Sequence, residues 1–227
     1  MRILLFDIDG TLVNTAGAGQ LAMAAALAAA FGAAPHAAGV VFSGRTDRAI
    51  ARDLFRLHGV DDTRANWECF QEAYLEQLSA YLPRRKGRVL PGVRELLDVL
   101  SLDRDASLGL LTGNVPGGAE QKLRHYGLNH HFARGGFGDV HMERDQVAHE
   151  ALQATRRHVG AEVAVEQIWV IGDTPRDVQC ARAIGARVLA VATGIHEVDE
   201  LRATQPDELL NDLSDTVRVL DLLNHVA

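Results

Sequence analysis

The sequence predicts an α/β fold with a doubly wound parallel sheet, and two observations predict it. Short, uninterrupted apolar runs of the buried-strand type alternate with segments of helical periodicity. Strands that are apolar on both faces are typical of parallel sheets covered by helices on both sides. The predicted strands are Ile3–Phe6, Ser107–Leu111, Ile168–Ile171 and Val188–Ala192, and the predicted helices around them are Val93–Leu100, Gln146–His158 and Val178–Ile184.

About a hundred residues separate the first predicted strand from the second, which is too many for one crossover helix. An inserted domain is therefore expected at residues 15–89, with residues 1–14 and 90–227 forming the core. No alternating strand pattern occurs in the insert, so we expect a small helical bundle. Its predicted helices are Ala16–Phe31, Asp47–His58 and Arg64–Leu82, and the basic segment Pro83–Pro91 is predicted to be a solvated return linker.

Composition and charge exclude several classes of protein. A net charge of -7 gives no general positive field for nucleic acid. Residues 10–44 contain no Asp, Glu, Lys or Arg, yet their many alanines are nearly neutral towards lipid and Gly32 and Pro35 interrupt the run, so no membrane span is expected. The first apolar run is too short for a signal peptide, and two cysteines suggest no disulfide framework. These features predict a cytoplasmic protein.

Polar turns follow three of the four predicted strands. The turns are Asp7–Thr11, Thr112–Asn114 and Gly172–Asp177. Each acidic turn alone is explained equally well by helix capping. Because ligands bind beyond the carboxyl ends of parallel strands, all three turns together predict one shared crevice.

The chemistry of such a crevice follows from its residue types. Asp7 and Asp9 lie two apart before the tight turn that Gly10 permits. Several carboxylates in one pocket repel one another and need a cation, and oxygen ligands without a suitably spaced His or Cys favour Mg²⁺ over zinc. Mg²⁺ readily accepts phosphate oxygens, so phosphoryl chemistry is expected. The Thr112 hydroxyl and the backbone N–H groups around Gly10 and Gly113 are then candidates to donate hydrogen bonds to the phosphoryl oxygens.

The segments DIDGTLV, LLTGN and IGDTPRD resemble, in this order, the motifs of the haloacid-dehalogenase-like hydrolase superfamily. The resemblance spans nearly the whole chain. The long insert after the first motif is similar to the helical cap of the phosphoglycolate-phosphatase and β-phosphoglucomutase branch. This resemblance implies a Rossmann-like core.

The resemblance also implies roles for individual residues. Asp7 resembles the nucleophile that forms an aspartyl-phosphate, and Asp9 resembles the general acid and base. Mg²⁺ is implied at Asp7, at the backbone carbonyl of Asp9 and at Asp173, with Asp177 supporting the metal's waters or the lysine. The implied phosphate-binding residues are Gly10, Thr11, Thr112, Gly113, Asn114 and Lys122.

The lysine is where the sequence departs from the family pattern. The segment before the last motif, Arg134–Arg144, holds no lysine, and Lys86 and Lys122 are the only two in the chain. Lys122 follows the Thr112 turn and is predicted to hold the phosphoryl charge, with Arg144 as the alternative. A surface lysine paired with a nearby acid is the simpler interpretation.

Three further features of the sequence carry expectations of their own. Arg45 in the turn Ser43–Asp47 is similarly placed to substrate-contacting residues of related caps, although Thr46 or Asp47 could be there only for helix capping. Asn14 stands where many relatives have Asp. None of the ten His residues has the spacing of a metal site or triad, so ordinary surface roles are expected, His130 and His131 included.

The sequence thus predicts a Mg²⁺-dependent phosphatase acting on a small phosphorylated metabolite through an aspartyl-phosphate. A phosphomutase and a binding domain without turnover are the alternatives. The sequence indicates neither the particular phosphomonoester nor the oligomeric state.

Overall fold

A computed structural model describes residues 1–160 and 163–224. Its main sheet has six strands in the order β5-β4-β1-β6-β7-β8, all pairs parallel. The strands are β1 (Arg2–Phe6), β4 (Ala106–Leu111), β5 (Gly135–Gly136), β6 (Ile168–Gly172), β7 (Arg187–Val191) and β8 (Glu208–Leu210), and β2 (Val13–Asn14) and β3 (Arg88–Val89) form a separate antiparallel pair.

Helices cover both faces of this sheet, as predicted. Successive side chains of a strand point to opposite faces, and β1 divides accordingly: Leu4 and Phe6 belong to one buried cluster, Ile3 and Leu5 to the other. The helices outside the insert are α4 (Val93–Leu102), α5 (Pro116–His125), α6 (Arg144–Val159), α7 (Pro175–Ala183), α8 (Val198–Ala203) and α9 (Thr216–Asn224). Buried residues of α4, α5 and α9 join the first cluster, and those of α6 and α7 join the second.

All four predicted strands are present, each within one residue of its predicted ends. The sequence pattern did not reveal β5 and β8, because a two-residue strand of glycine and a three-residue strand at the sheet edge are too short to show a period. The α/β fold class with a Rossmann-like parallel sheet is confirmed.

The segment predicted as the insert, residues 15–89, is called the helical insert below. It contains α1 (Ala18–Phe31), α2 (Asp47–His58) and α3 (Arg64–Tyr81). The helix α1 begins two residues later than predicted, because Gly17 has a left-handed backbone. The aromatic side chains of Phe31, Phe55 and Phe70 pack edge to face in the interior of the insert.

One expectation for the insert was wrong. Residues Arg88–Val89 form a short strand that pairs with Val13–Asn14, where only a solvated linker was expected. The pair holds the two chain crossings between core and insert side by side, and it places Asn14 opposite Arg88. The division into two domains stays a prediction. In the described part of the chain, no helix is long and apolar enough to cross a membrane.

Candidate active site

The three polar turns meet at the carboxyl edge of the sheet. Strand β1 lies between β4 and β6, and Phe6 is paired with Leu110 on one side and Ile171 on the other. Residues that follow these strands therefore emerge next to one another. The carboxylates of Asp7, Asp173 and Asp177 are buried, and one oxygen of each lies within 4.8 Å of the other two.

The turn after β1 is shaped around Asp173. Gly10 has a φ of 90°, and a Cβ at this position would lie 2.2 Å from Asp173 Oδ2, so only glycine fits. The Thr11 hydroxyl donates a hydrogen bond of 2.9 Å to Asp173 Oδ1. Thr11 thus orients an acid with its side chain, and only its backbone N–H remains for the predicted phosphate contact.

Asp177 and Arg144 form a buried ion pair behind this turn. Asp177 Oδ2 accepts hydrogen bonds from the backbone N–H and the hydroxyl of Thr174, at 3.0 and 2.7 Å, in a capping box that starts α7. Arg144 Nη2 lies 2.5 Å from Asp177 Oδ1 and 3.6 Å from Asp7 Oδ1. Arg144 thus pairs with the acids, but it also lines the cavity and its Nε has no hydrogen-bond partner among the described residues, so its alternative role in holding the phosphoryl charge stays a prediction.

Burial leaves this cluster of acids short of positive charge. Desolvation raises the pKa of Asp7 to about 7, although Arg144 opposes the rise. Desolvation and the neighbouring Asp177 and Asp7 raise the pKa of Asp173 well above its usual value. One guanidinium thus faces three buried carboxylates, and this donor set of oxygens fits a hard divalent cation.

Asp9 points away from the acid cluster and into a second network. Its Oδ2 accepts hydrogen bonds from Lys122 Nζ at 2.5 Å and from Asn114 Nδ2 at 2.8 Å. Lys122 is buried on α5 and also donates to Asn114 Oδ1, at 2.5 Å. Asn114 Nδ2 lies 2.8 Å from Thr112 Oγ1 as well. The structure therefore brings Asp9, Thr112, Asn114 and Lys122 together, as the sequence analysis expected.

The loop before α2 joins the helical insert to the core. The backbone N–H of Asp47 donates to the carbonyl of Gly113 at 2.6 Å, and that of Arg48 donates to the carbonyl of Gly138 at 2.9 Å. A Cβ on Gly113 would lie 2.0 Å from the carbonyl oxygen of Arg45. The close approach between insert and core at this loop therefore depends on a glycine.

The sequence analysis missed the role of Asp47. Thr46 is the N-cap of α2, which leaves the Asp47 carboxylate to accept a hydrogen bond of 2.8 Å from the backbone N–H of Val115 in the core. Desolvation raises the pKa of this buried carboxyl to about 7, and Lys122 opposes the rise. No spacing in the sequence indicates the contact, because it depends on docking between distant segments.

Two residues after β7 were also missed. The Thr193 hydroxyl donates a hydrogen bond of 2.5 Å to the carbonyl of Gly10, and a Cβ on Gly194 would lie 1.8 Å from Asp173 Oδ2. A signal existed, because Thr193 and Gly194 follow the fourth predicted strand as the other polar turns follow theirs.

Arg45 is turned towards the insert in this structure. Its Nη1 lies 2.5 Å from Asp53 Oδ2 on α2, and its guanidinium also donates to the carbonyls of Val41 and Ala49. Arg45 does line the cavity between insert and core, but its charge is already paired. Its predicted contact with substrate stays a prediction.

The expectation that no histidine joins a possible metal site needs a correction. His130, His131 and Asp98 place one ligand atom each within 4.8 Å of one another on the surface. The sequence did not show this, because Asp98 comes from α4, about thirty residues before the histidines. His131 has polar partners on both ring nitrogens, with Nδ1 2.7 Å from Ser101 Oγ and Nε2 3.5 Å from Asp98.

A cavity of about 970 Å³ lies between the helical insert and the core. Asp7, Asp9, Asn114, Lys122 and Asp173 line it on the core side. In this arrangement three carboxyl groups, those of Asp7, Asp9 and Asp173, and the amine of Lys122 face one space.

The comparisons with known proteins show the family to which the chain belongs. The sequence profile of haloacid dehalogenase-like hydrolases matches residues 4–191, so the chain belongs to this family and is a hydrolase. It is 30% identical to a phosphoglycolate phosphatase of Synechococcus elongatus, over 98% of this chain and 99% of that one. It is 29% identical to a 5'-nucleotidase of Pseudomonas aeruginosa, over 96% and 95%.

The fold is shared with solved structures as well. A predicted phosphoglycolate phosphatase from Haemophilus somnus 129pt superposes with a TM-score of 0.71 at 19% identity, covering 97% of this chain and 98% of that one. At this identity the similarity concerns the fold, including the helical segment between the first two core strands.

Proposed function

We propose that this chain is a Mg²⁺-dependent phosphatase that hydrolyses a small phosphomonoester through an aspartyl-phosphate on Asp7. The observation that carries the proposal is the buried cluster of Asp7, Asp173 and Asp177 facing the Asp9–Lys122 pair across one cavity. Relatives named phosphoglycolate phosphatase and 5'-nucleotidase support the same class of reaction.

The acid cluster is the proposed metal site. Asp7, Asp173 and the backbone carbonyl of Asp9 would hold Mg²⁺, with Asp177 beside them. A bound Mg²⁺ would neutralise charge on the phosphoryl oxygens and keep Asp7 ionised. The raised pKa values of Asp7 and Asp173 support this role, because buried acids of this kind lack a counter-charge.

The chemistry proceeds in two displacements. An Asp7 carboxylate oxygen forms a bond to phosphorus while the ester P–O bond breaks, and Asp9 gives its proton to the leaving oxygen. Asp9 then takes a proton from water as the water oxygen bonds to phosphorus and the bond to Asp7 breaks, which releases inorganic phosphate. For the first step Asp9 must exchange its contact with Lys122 for the leaving oxygen.

Lys122 and the backbone hold the phosphoryl group in both steps. When Lys122 leaves Asp9, its ammonium group is free to contact a phosphoryl oxygen from the same place. The Thr112 hydroxyl oxygen accepts from Asn114, so its hydrogen can be donated to the phosphoryl group. Backbone N–H groups near Gly10, Thr11, Gly113 and Asn114 would complete the cradle.

The helical insert, residues 15–89, is proposed to act as a cap domain over residues 1–14 and 90–227. A cap that closes excludes bulk water and aligns the leaving group. The protein is further proposed to be cytoplasmic and to bind a small phosphorylated metabolite, with no role for nucleic acid or membranes.

Substitution of the nucleophile tests the proposal. Phosphate release by the purified protein from a panel of phosphomonoesters is measured with Mg²⁺ and with EDTA. We expect Mg²⁺-dependent release by the unmodified protein and by the control D61N, which changes an exposed acid, and at least a thousandfold loss in D7N. Mg²⁺-dependent release retained by D7N would refute the assignment, and isomerisation of a sugar phosphate without free phosphate would favour the mutase.

A further inference from the structure

The cavity has a second half that carries no charge. Of the 34 residues that line the cavity, 18 come from residues 10–44, the stretch without Asp, Glu, Lys or Arg. Apolar side chains from α1 and from the loop before α2 dominate this wall, among them Leu21, Ala24, Val40, Phe42 and Pro35. We call the part of this wall that residues 15–44 form the leaving-group chamber, since these residues belong to the helical insert.

Three of the four cations that line the cavity are paired with carboxylates. Lys122 pairs with Asp9, Arg144 with Asp177, and Arg45 with Asp53. The fourth cation in the lining, Arg85, is an exposed residue outside the uncharged stretch, and its Nε donates to the carbonyl of Ala16 at 2.9 Å. The described lining thus offers no unpaired buried cation to a second anionic group of a substrate.

The size of the cavity also indicates more than a phosphate. Pockets for whole small molecules have volumes of roughly 300–1,000 Å³, and this cavity of about 970 Å³ is at the upper end of that range. A phosphoryl group beside Asp7 would fill a small part of it. Residues of the uncharged stretch form most of the wall around the remaining space.

A buried neutral polar group, the Tyr74 hydroxyl, borders the cavity without a hydrogen-bond partner among the described residues. The Tyr74 side chain is 1% exposed, lines the cavity, and its hydroxyl has no hydrogen-bond partner among the described residues. A Cβ on Gly19 would lie 3.5 Å from Lys122 Nζ and 3.9 Å from Tyr74 Oη, so both groups border the same small space. A buried hydroxyl without a partner costs stability unless a ligand satisfies it.

We propose that the substrate is a phosphomonoester of an uncharged alcohol, with an apolar part in the leaving-group chamber and a neutral oxygen that accepts a hydrogen bond from Tyr74. A carboxylate in the chamber would lose its hydration without gaining a buried, unpaired cation, because Arg85 is exposed to water, whereas an apolar group gains from leaving water. The inference rests on the proposed function and narrows its substrate class, and it disfavours esters of hydroxy acids.

A pair of esters that differ by one charge tests the chamber. 4-Methylbenzyl phosphate and 4-carboxybenzyl phosphate have similar shapes and leaving groups. We expect kcat/KM of the unmodified protein to be at least tenfold higher for 4-methylbenzyl phosphate than for 4-carboxybenzyl phosphate. Equal kcat/KM values for the two esters, or a higher value for 4-carboxybenzyl phosphate, would overturn the proposal. This holds whichever side chain causes the preference.

Binding keeps this test separate from the proposed function. Calorimetric titration of the same two esters onto D7N, without turnover, is expected to show the same order of affinity. If neither ester releases phosphate but 4-methylbenzyl phosphate binds more tightly, the proposed function is refuted and the proposed specificity of the chamber is retained. If phosphate is released and the carboxylate ester binds more tightly, only the chamber fails.

A charge placed in the chamber should reverse the preference. Ala24 on α1 lines the cavity, and Ala29 on the same helix is exposed and outside the lining. We expect A24K to raise kcat/KM for the carboxybenzyl ester relative to the methylbenzyl ester by at least fivefold, and A29K to leave the ratio unchanged. An equal change in both variants, or none in A24K, would contradict the placement of the leaving group.

Tyr74 has its own matched comparison. Glycerol 1-phosphate carries neutral hydroxyls that propyl phosphate lacks. We expect Y74F to lower kcat/KM about fivefold more for glycerol 1-phosphate than for propyl phosphate, as one lost hydrogen bond implies. Y81F, on the same helix but outside the cavity lining, should affect both equally. Equal losses in Y74F would overturn the assigned hydrogen bond.

Discussion

The two halves of the cavity are built by opposite means. On the core side, ionisable side chains lie after buried strands and on α5, and each has a charged or hydrogen-bonding partner. On the insert side, residues 10–44 supply a wall with no ionised side chain at all. The proposed reactive groups and the proposed substrate-selecting groups therefore belong to separate structural elements, which a few backbone contacts join at the loop before α2.

The contacts that join the two halves of the cavity are made mainly by backbone groups, so no sequence motif indicates them. Asp47 and Arg48 donate backbone hydrogen bonds to Gly113 and Gly138 of the core, and the Asp47 carboxylate accepts one from Val115. The same loop therefore places the insert over the turn that carries Thr112 and Asn114. Predictions that separate the chemistry of the core half from the docking of the insert test this comparison most directly.

The largest expected effect is on the core side. K122Q removes the cation that faces both Asp9 and the phosphoryl position, and we expect kcat to fall by roughly 10²–10³-fold, as for loss of one charge-stabilising donor. K86Q, which changes the other lysine at an exposed site, should retain full activity. Steady-state phosphate release measures both. If K122Q were as active as the unmodified protein, Lys122 would not hold the phosphoryl group, and another group would have to do so.

An effect of intermediate size is expected on the pH dependence of folding stability, through the buried carboxyl group of Asp47 between insert and core. Asp47 has a pKa of about 7 in the folded protein and an ordinary value near 3.8 when unfolded, chiefly because burial disfavours its charge. Between these values the folded state binds the extra proton, so stability is highest at the acidic side of the window and falls as pH rises. The other charged groups acting on Asp47 are Lys122, Asp9 and Asp139.

D47N isolates this contribution. From pH 5 to pH 7 the free energy of unfolding of the unmodified protein should fall by roughly 2 kcal/mol more than that of D47N, measured by urea denaturation. Asp7 and Asp173 titrate in both proteins, so the difference between the two curves belongs to Asp47. D61N, an exposed control, should follow the unmodified protein. Parallel curves for D47N and the unmodified protein would show that Asp47 is not desolvated at this joint.

The same contrast explains what the sequence could reveal. Asp7 and Asp173 were predictable because each directly follows an apolar run of strand length, and parallel strands place such residues on one edge. Lys122 was predictable because it is one of two lysines and follows the Thr112 turn. These signals are local in the chain, and the sheet converts them into a site.

Asp47 and Tyr74 were not predictable for the opposite reason. At the start of α2 an acid is also favoured by the helix dipole, and Tyr74 lies among the apolar residues of α3, so each is locally explained without any function. Their roles arise from contacts with segments 40 to 70 residues away, such as Asp47 with Val115. Helical periodicity gives the buried face of a helix but not the partner that it meets.

The smallest expected effect separates docking from helix stability. Thr46 and Thr63 are the N-caps of α2 and α3, with hydroxyls accepting from Ala49 and Asn66, and loss of either cap should cost about 1 kcal/mol. The Thr46 hydroxyl also donates to the carbonyl of Met142 in the core, at 3.2 Å, whereas Thr63 bonds within its own helix.

We therefore expect T46A to lower the free energy of unfolding by about 1 kcal/mol more than T63A, because it also loses the buried bond to Met142, and only T46A to lower kcat/KM, by about threefold. T46S keeps the hydroxyl and should restore the activity. Denaturation curves and phosphate-release kinetics on the three variants distinguish the two contributions. If T63A lowered kcat/KM as much as T46A does, general loosening of the insert would explain both results, and the contact with Met142 would have no part in aligning the two halves of the cavity.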